Sequence, residues 1–307
     1  MANVLVIKHG ALGDVVLAMG TMRALKRMYP EDSFTLMTMR PFVALAEQTG
    51  VFDGYIVDNR RPFRCLGETR RVLGEMLAGR FSRIYNMQFS QRTRHYRRLL
   101  RLLSPAGKFE WYEYSTGLCH TITKRCRFGV GRQSIAPVSL PEETTDLRFM
   151  HGKGEHFHLL PERYVLLIPG CSPQHTYKRW PVENYRDIVR RLAERGINAV
   201  VLGTKAEAED TAAICAGLPS AVNMMGLTEL ADVPQVALRA LAVLGNDTGP
   251  SHMAALTGVF TIALFDQRNA RSVLRGPDCA SIVSPGEVRL ISVDEVWQRL
   301  EARLSSV

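Results

Sequence analysis

No stretch of this 307-residue chain approaches the roughly 20 consecutive apolar residues that a membrane-crossing helix requires. Lys8, His9 and Asp14 interrupt the apolar opening, so it does not read as a secretory signal peptide. No CxxC pair occurs among the six cysteines, Cys65, Cys119, Cys126, Cys171, Cys215 and Cys279. Free thiols in a reducing cytoplasm are the plain expectation. The group Cys119, His120 and Cys126 leaves a metal site as an alternative, although its spacing fits no common zinc pattern. The GxGxxG fingerprint of dinucleotide binding is also missing, which argues against a NAD-dependent enzyme. Aromatic residues make up 8% of the chain, and Tyr96 is the only one among the arginines of residues 92–101. A nucleic-acid module would interleave aromatics with its basic run, so that class is disfavoured.

What is present is an uneven charge. Residues 1–155 hold 24 Lys+Arg against 14 Asp+Glu, a balance of +10, and residues 156–307 hold 15 against 16, a balance of −1, matching the +9 of the whole chain. The first half therefore carries all the excess, and a basic face of that size implies an anionic partner such as phosphate groups, nucleic acid or a lipid surface.

Short branched runs alternate with helical patterns along the chain. Val4 to Lys8, Phe34 to Met37, Gly54 to Val57 and Arg83 to Met87 read as buried strands, and residues 14–25, 42–50 and 92–103 as helices. Residues 108–147 show no clear period. The alternation restarts at Tyr164 to Ile168, followed by a long loop at 170–181 and a helix over 182–196 that Gly196 stops. Further strands are expected at Ala199 to Leu202, from Leu241, and at Phe260 to Phe265, with helices at 206–216, 230–240, from Pro250, and 293–304. Repeated alternation of this kind means parallel sheets with helices on both faces. It runs twice, so two Rossmann-like domains facing a cleft are expected, over residues 1–155 and 156–307. Ligands in such sheets bind at the carboxyl ends of the strands.

Three loops fall at those ends. In LGNDTGPSHMAALTG, Asp247, Thr248, Gly249, Ser251 and His252 join a strand to a helix start, where backbone amides suit a phosphate or diphosphate. A simple cap by Asp247 or Thr248 is the plainer alternative, but a cap needs one such residue, not five. His252 taken singly has a structural role within the loop as its alternative. In KHGALGD, Asp14 stands at a helix start and taken alone is expected to cap it. In TYKRWPVENY, Lys178 and Arg179 reach a phosphate or form a solvated basic turn on a packed Trp180.

Together these loops resemble glycosyltransferase family 9, the ADP-heptose:lipopolysaccharide heptosyltransferases. The resemblance covers most of the chain, from VLVIKHGALGDVVLAMGTMRALKRMYP to FTIALF. It is strongest in GNDTGPSHMAALTG, close to the family's DTGxSH loop, with the strand–loop–GD–helix opening and KRWP as further support. It implies a GT-B fold, an acceptor on the first half and a nucleotide sugar on the second, in agreement with the charge split. It implies an inverting, metal-independent transfer of a heptose from ADP-heptose to the anionic lipopolysaccharide inner core, with no cofactor beyond the ADP-sugar substrate. No DxD motif is present. A cytoplasmic enzyme in peripheral contact with the inner-membrane surface, and no nucleic-acid partner, follow. Another nucleotide sugar or a protein acceptor is the alternative.

Residue by residue, the resemblance makes Asp14 the general base and Lys178 the group that neutralises the diphosphate. Asp247 orients the sugar or holds its loop, and Thr248 and Gly249 donate to phosphate oxygens beside Ser251 and His252. Glu207, in GTKAE, meets the ribose hydroxyls, and Leu227, in MGLTEL, packs on adenine. Gly10 and Ala11 line the acceptor, as does Arg92, which follows Gln88 in NMQF at the family's spacing. Arg132, in FGVGRQ, is a further acceptor candidate. Arg94, Arg97, Arg98 and Arg101 taken singly are solvated or membrane-facing. One departure stands out: many members follow the FTIALF-type strand with Gly-Pro-Thr, whereas here Asp266, Gln267, Arg268, Asn269 and Ala270 follow Phe265. This changes how the sugar or phosphate is held.

Overall fold

A computed structural model describes residues 1–88, 90–103, 109–117, 121–128, 145–269 and 273–306. It divides into two compact units, Met1–Thr145 and Asp146–Val307, where the sequence placed the boundary at 155/156.

The first unit runs β1 (Asn3–Ile7), α1 (Leu12–Met28), β2 (Ser33–Thr38), α2 (Val43–Glu47), β3 (Gly54–Val57), α3 (Leu66–Ala78), β4 (Arg83–Asn86), α4 (Gln91–Leu103), β5 (Glu110–Gly117) and β6 (Thr121–Phe128). Its sheet order is β3-β2-β1-β4-β5-β6, parallel except for β6, which is antiparallel to β5. The alternating side chains of β1 explain why its sequence is apolar after Asn3. Val4 and Val6 pack with Met22 and Leu25 of α1, while Leu5 and Ile7 pack with Val72 of α3 and Tyr96 of α4. All four β1 side chains are fully buried, each worth about 1.5–3 kcal/mol.

The second unit runs β7 (Tyr164–Ile168), α5 (Val182–Ala193), β8 (Asn198–Val201), α6 (Ala208–Cys215), β9 (Ala221–Asn223), α7 (Val233–Leu238), β10 (Ala242–Asn246), α8 (Gly249–Ala255), β11 (Thr261–Phe265), β12 (Cys279–Val283) and α9 (Val293–Leu304). Its sheet is wholly parallel, ordered β9-β8-β7-β10-β11-β12, so the two units repeat one strand order. In each, the order reverses beside the first strand. The reversal brings the loops after β1 and β4 together in one unit and those after β7 and β10 in the other, which is where ligands enter such sheets. No helix among the described residues is long and apolar enough to cross a membrane.

Candidate functional site

In the second unit, Lys178 and Asp247 meet at the switch point. Lys178 Nζ donates to Asp247 Oδ2 at 2.7 Å, and His252 Nε2 lies 3.4 Å from Asp247 Oδ1. Burial alone would push the Asp247 carboxyl up, but hydrogen bonds from His252 and Lys178 outweigh it and hold it below its ordinary range. Asp247 is therefore a buried anion with two basic neighbours. Thr248 occupies the cap position of α8 without a side-chain cap bond, and its hydroxyl lies 3.3 Å from Ser251 Oγ instead. Ser251 Oγ donates to the carbonyl of Asn246 at 2.7 Å. The capping alternative for Asp247 and Thr248 thus fails. At 7 residues, α8 carries only a short dipole, so charged side chains dominate this site. Gly249 opens α8 without a positive φ. The glycine that packing demands is Gly245, where a Cβ would stand 2.5 Å from Ser251 Oγ and 2.9 Å from Ile168 Cβ.

Asn246 is the residue that motif reading missed. It is fully buried, its Oδ1 accepts from Trp180 N and Tyr185 Oη, and its Nδ2 donates to the carbonyl of Pro169 at 2.6 Å. Trp180 Nε1 donates to the carbonyl of Ile291. The loop carrying Lys178 is thereby fastened to β10. The signal was present: an amide side chain ending an otherwise apolar strand must find partners there.

Lys178 and Arg179 separate. Arg179 turns to Asp210 of α6 at 2.9 Å, so the pair expected to reach one phosphate contributes a single cation. Glu207 lies on the neighbouring loop, where its Oε2 accepts from the backbone and hydroxyl of Thr204 in a capping box. Leu227 is half-buried in the turn after Gly226, whose φ is +72°.

In the first unit, Ala11 holds the cap position of α1, and Asp14 stands in the first turn, half-exposed. Its expected capping role is not taken up, and among the described residues its carboxylate has no hydrogen bond or ion pair. A first-turn carboxylate is favoured by the positive end of a 17-residue helix. Gly10 precedes it with φ +137°, a region that favours glycine, and a Cβ there would meet Phe42 Cε2 at 2.8 Å.

Arg92 is turned inward. Its Nε and Nη2 both donate at 2.7 Å to Asp58, which is fully buried, and its Nη1 donates to the carbonyl of Arg61. Tyr96 Oη donates to the same carboxylate at 2.8 Å, and His9 Nε2 lies 3.0 Å from it. Arg92 is an internal fork holding α4 to the end of β3, because a buried carboxylate takes a bidentate guanidinium before solvent does. Burial raises the Asp58 carboxyl, yet hydrogen bonds from His9 and Arg92 leave it well below the usual range. The exposed cations of this unit include Arg60, Arg61 and Arg64 on the loop after β3 and Arg98 on α4.

Arg132, Cys119 and His120 lie outside the described residues. Among the described residues, no group of three or more His, Cys, Asp or Glu side chains is arranged to hold a metal ion.

Residues 133–274 match the family described as Glycosyltransferase family 9 (heptosyltransferase), a span that contains Lys178, Asp247 and His252. Over 107 residues the chain is 36% identical to lipopolysaccharide heptosyltransferase 1 of Pseudomonas aeruginosa, which covers 34% of this chain and 29% of that relative. The chain thus spans less than a third of the length of that curated relative. The glycosyl transferase family 9 structure from Veillonella parvula superposes with a TM-score of 0.75 at 17% identity, covering 100% of this chain and 98% of that one. E. coli heptosyltransferase WaaC with ADP-2-deoxy-2-fluoro heptose gives 0.72 at 18%, covering 98% and 99%. At these identities the likeness establishes the fold, that of the GT-B heptosyltransferases. The fold, the family match over residues 133–274 and the curated relative all point to glycosyltransferase family 9.

Proposed function

We propose that this protein transfers a heptose from ADP-heptose to the anionic inner core of lipopolysaccharide, with inversion and without a metal, at the cytoplasmic face of the inner membrane. The observation that carries the reading is the Lys178–Asp247–His252 cluster at the switch point of the second unit, inside the stretch that matches the family. The nucleotide lies along the carboxyl ends of the second sheet, with adenine at Leu227, ribose at Glu207 and the diphosphate at Lys178. Asp14 takes the proton from the acceptor hydroxyl as its oxygen attacks the anomeric carbon. The bond from that carbon to the diphosphate oxygen breaks, and its electron pair leaves with ADP. Lys178 offsets the charge that develops there. The exposed arginines of the first unit, Arg60, Arg61, Arg64 and Arg98, attract the anionic acceptor.

Calorimetric titration with ADP, UDP, GDP and NAD, with and without magnesium, tests the donor. Metal-independent preference for ADP is the expected result; preference for UDP or GDP replaces the donor, and no binding removes the transferase reading. The departure at Asp266–Arg268 favours a different nucleotide sugar as the second reading, which the same titration separates. Lys178→Ala is expected to weaken ADP binding about ten- to a hundred-fold, the loss of one charge-assisted hydrogen bond, and to slow transfer with it. Unchanged affinity and rate would take Lys178 out of the diphosphate site.

A further inference from the structure

We propose that Arg268 contacts the distal phosphate of a bound nucleoside diphosphate and sets the preference of the site for diphosphate over monophosphate. The proposal rests on the donor reading above. The strand order lays the second unit's loops in a row: Leu227 after β9, Glu207 after β8, Lys178 after β7, Asp247 after β10, and Asp266 with Arg268 after β11. A nucleotide with its base and ribose at the β9 and β8 end reaches Lys178 with its phosphates. Past Asp247 after β10, the edge continues to Arg268 after β11.

Arg268 is prepared for that position. Its Nε and Nη2 donate to Asp266 Oδ1 and Oδ2 at 2.7 and 2.9 Å, and its backbone N–H donates to Oδ1 at 2.9 Å. Asp266 is 1% exposed, while the Arg268 side chain is 57% exposed. The guanidinium Cζ lies 3.9 Å over the ring of Tyr177, the chain neighbour of Lys178. Adjacent strand ends therefore carry two acid–cation pairs, Asp247–Lys178 and Asp266–Arg268, joined through the Tyr177–Lys178 peptide. The backbone N–H of Asp247 donates to the carbonyl of Leu264 at 3.1 Å, which fixes the two ends side by side. An ordinary surface ion pair leaves both partners in water. Here the acid is buried and orients one edge of the guanidinium, and the aromatic ring supports its face, while the side chain as a whole stays more than half exposed. A fork held in this way matches the geometry of a phosphate and loses little freedom on binding one.

The test is calorimetric titration of the full chain, Arg268→Ala and Arg268→Lys with ADP and with AMP, after thermal melting confirms that both variants fold as the parent does. For Arg268→Ala, ADP affinity is expected to fall about ten- to a hundred-fold while AMP affinity stays within about twofold. Arg268→Lys should fall between, since lysine keeps the charge and loses the fork and the stacking. Retention of ADP affinity in Arg268→Ala, or an equal loss for ADP and AMP, overturns the assignment and leaves the donor reading standing. If the unmodified protein binds neither nucleotide, the donor reading falls and this proposal falls with it.

Discussion

Asp14→Asn is expected to reduce glycosyl transfer by about a hundred- to ten-thousand-fold, the range supplied by a positioned general base. On the proposed reading ADP affinity should stay unchanged, because Asp14 acts on the acceptor hydroxyl and Lys178 on the diphosphate. The argument rests on availability. A carboxylate engaged as a cap or an ion pair would have to break that contact before accepting a proton, and Asp14 has neither among the described residues. The amide keeps the size of the side chain and removes its basicity, so the loss should appear in kcat with little change in KM. Steady-state kinetics beside an ADP titration checks this. A rate within about tenfold of the parent, a difference of only ~1.4 kcal/mol, would reduce Asp14 to a residue that steadies α1.

The second large effect is on folding. Asp58→Asn should destabilise the first unit by about 3–5 kcal/mol, because it removes one side of a buried ionic contact and leaves Arg92 without its counter-charge. Four groups converge on that carboxylate: Arg92 by two nitrogens, Tyr96, His9 and the backbone N–H of Arg60 at 2.9 Å. Urea denaturation at neutral pH reads the loss. The pH dependence gives a second handle. The folded chain holds the Asp58 carboxyl below its unfolded value, so its contribution is complete above the ordinary carboxylate range and is lost as pH falls below about 4. The gap between parent and variant should close over that acid range. A variant as stable as the parent at neutral pH would mean that the network is neutral in energy and serves only to place α4.

Much of this arrangement was legible in the chain itself, and the exceptions have physical causes. Strongly patterned elements such as α5 and α9 begin where the sequence places them and end within three residues of its estimate, because their apolar stripes are set by burial on a sheet. The missed elements are α3, β5, β6, β9 and β12. Of these, β9 is 3 residues long with no fully buried side chain, so it has little pattern to show. Helix α3 carries Arg70, Arg71 and Glu75 outward over a narrow stripe of Val72, Leu73 and Met76. The Lys178–Asp247–His252 cluster was legible because each member sits in a motif with unusual polar density. Asp58 was not: a lone aspartate after a four-residue strand looks like a turn residue, and only the tertiary fold delivers Arg92 to it from 34 positions away. The same fact explains why Arg92 looked like a surface group.

The carboxamide of Asn246 has a bearing on the thermodynamics of association. It grips Trp180 on one side of the Lys178 loop and Pro169 on the other. That loop is held at both ends before any ligand arrives. A ligand meeting an unfastened loop would have to bear the entropy of ordering its backbone and side chains as part of each encounter. Here that cost was met when the chain folded, so the free energy of contact with Lys178 remains available for affinity.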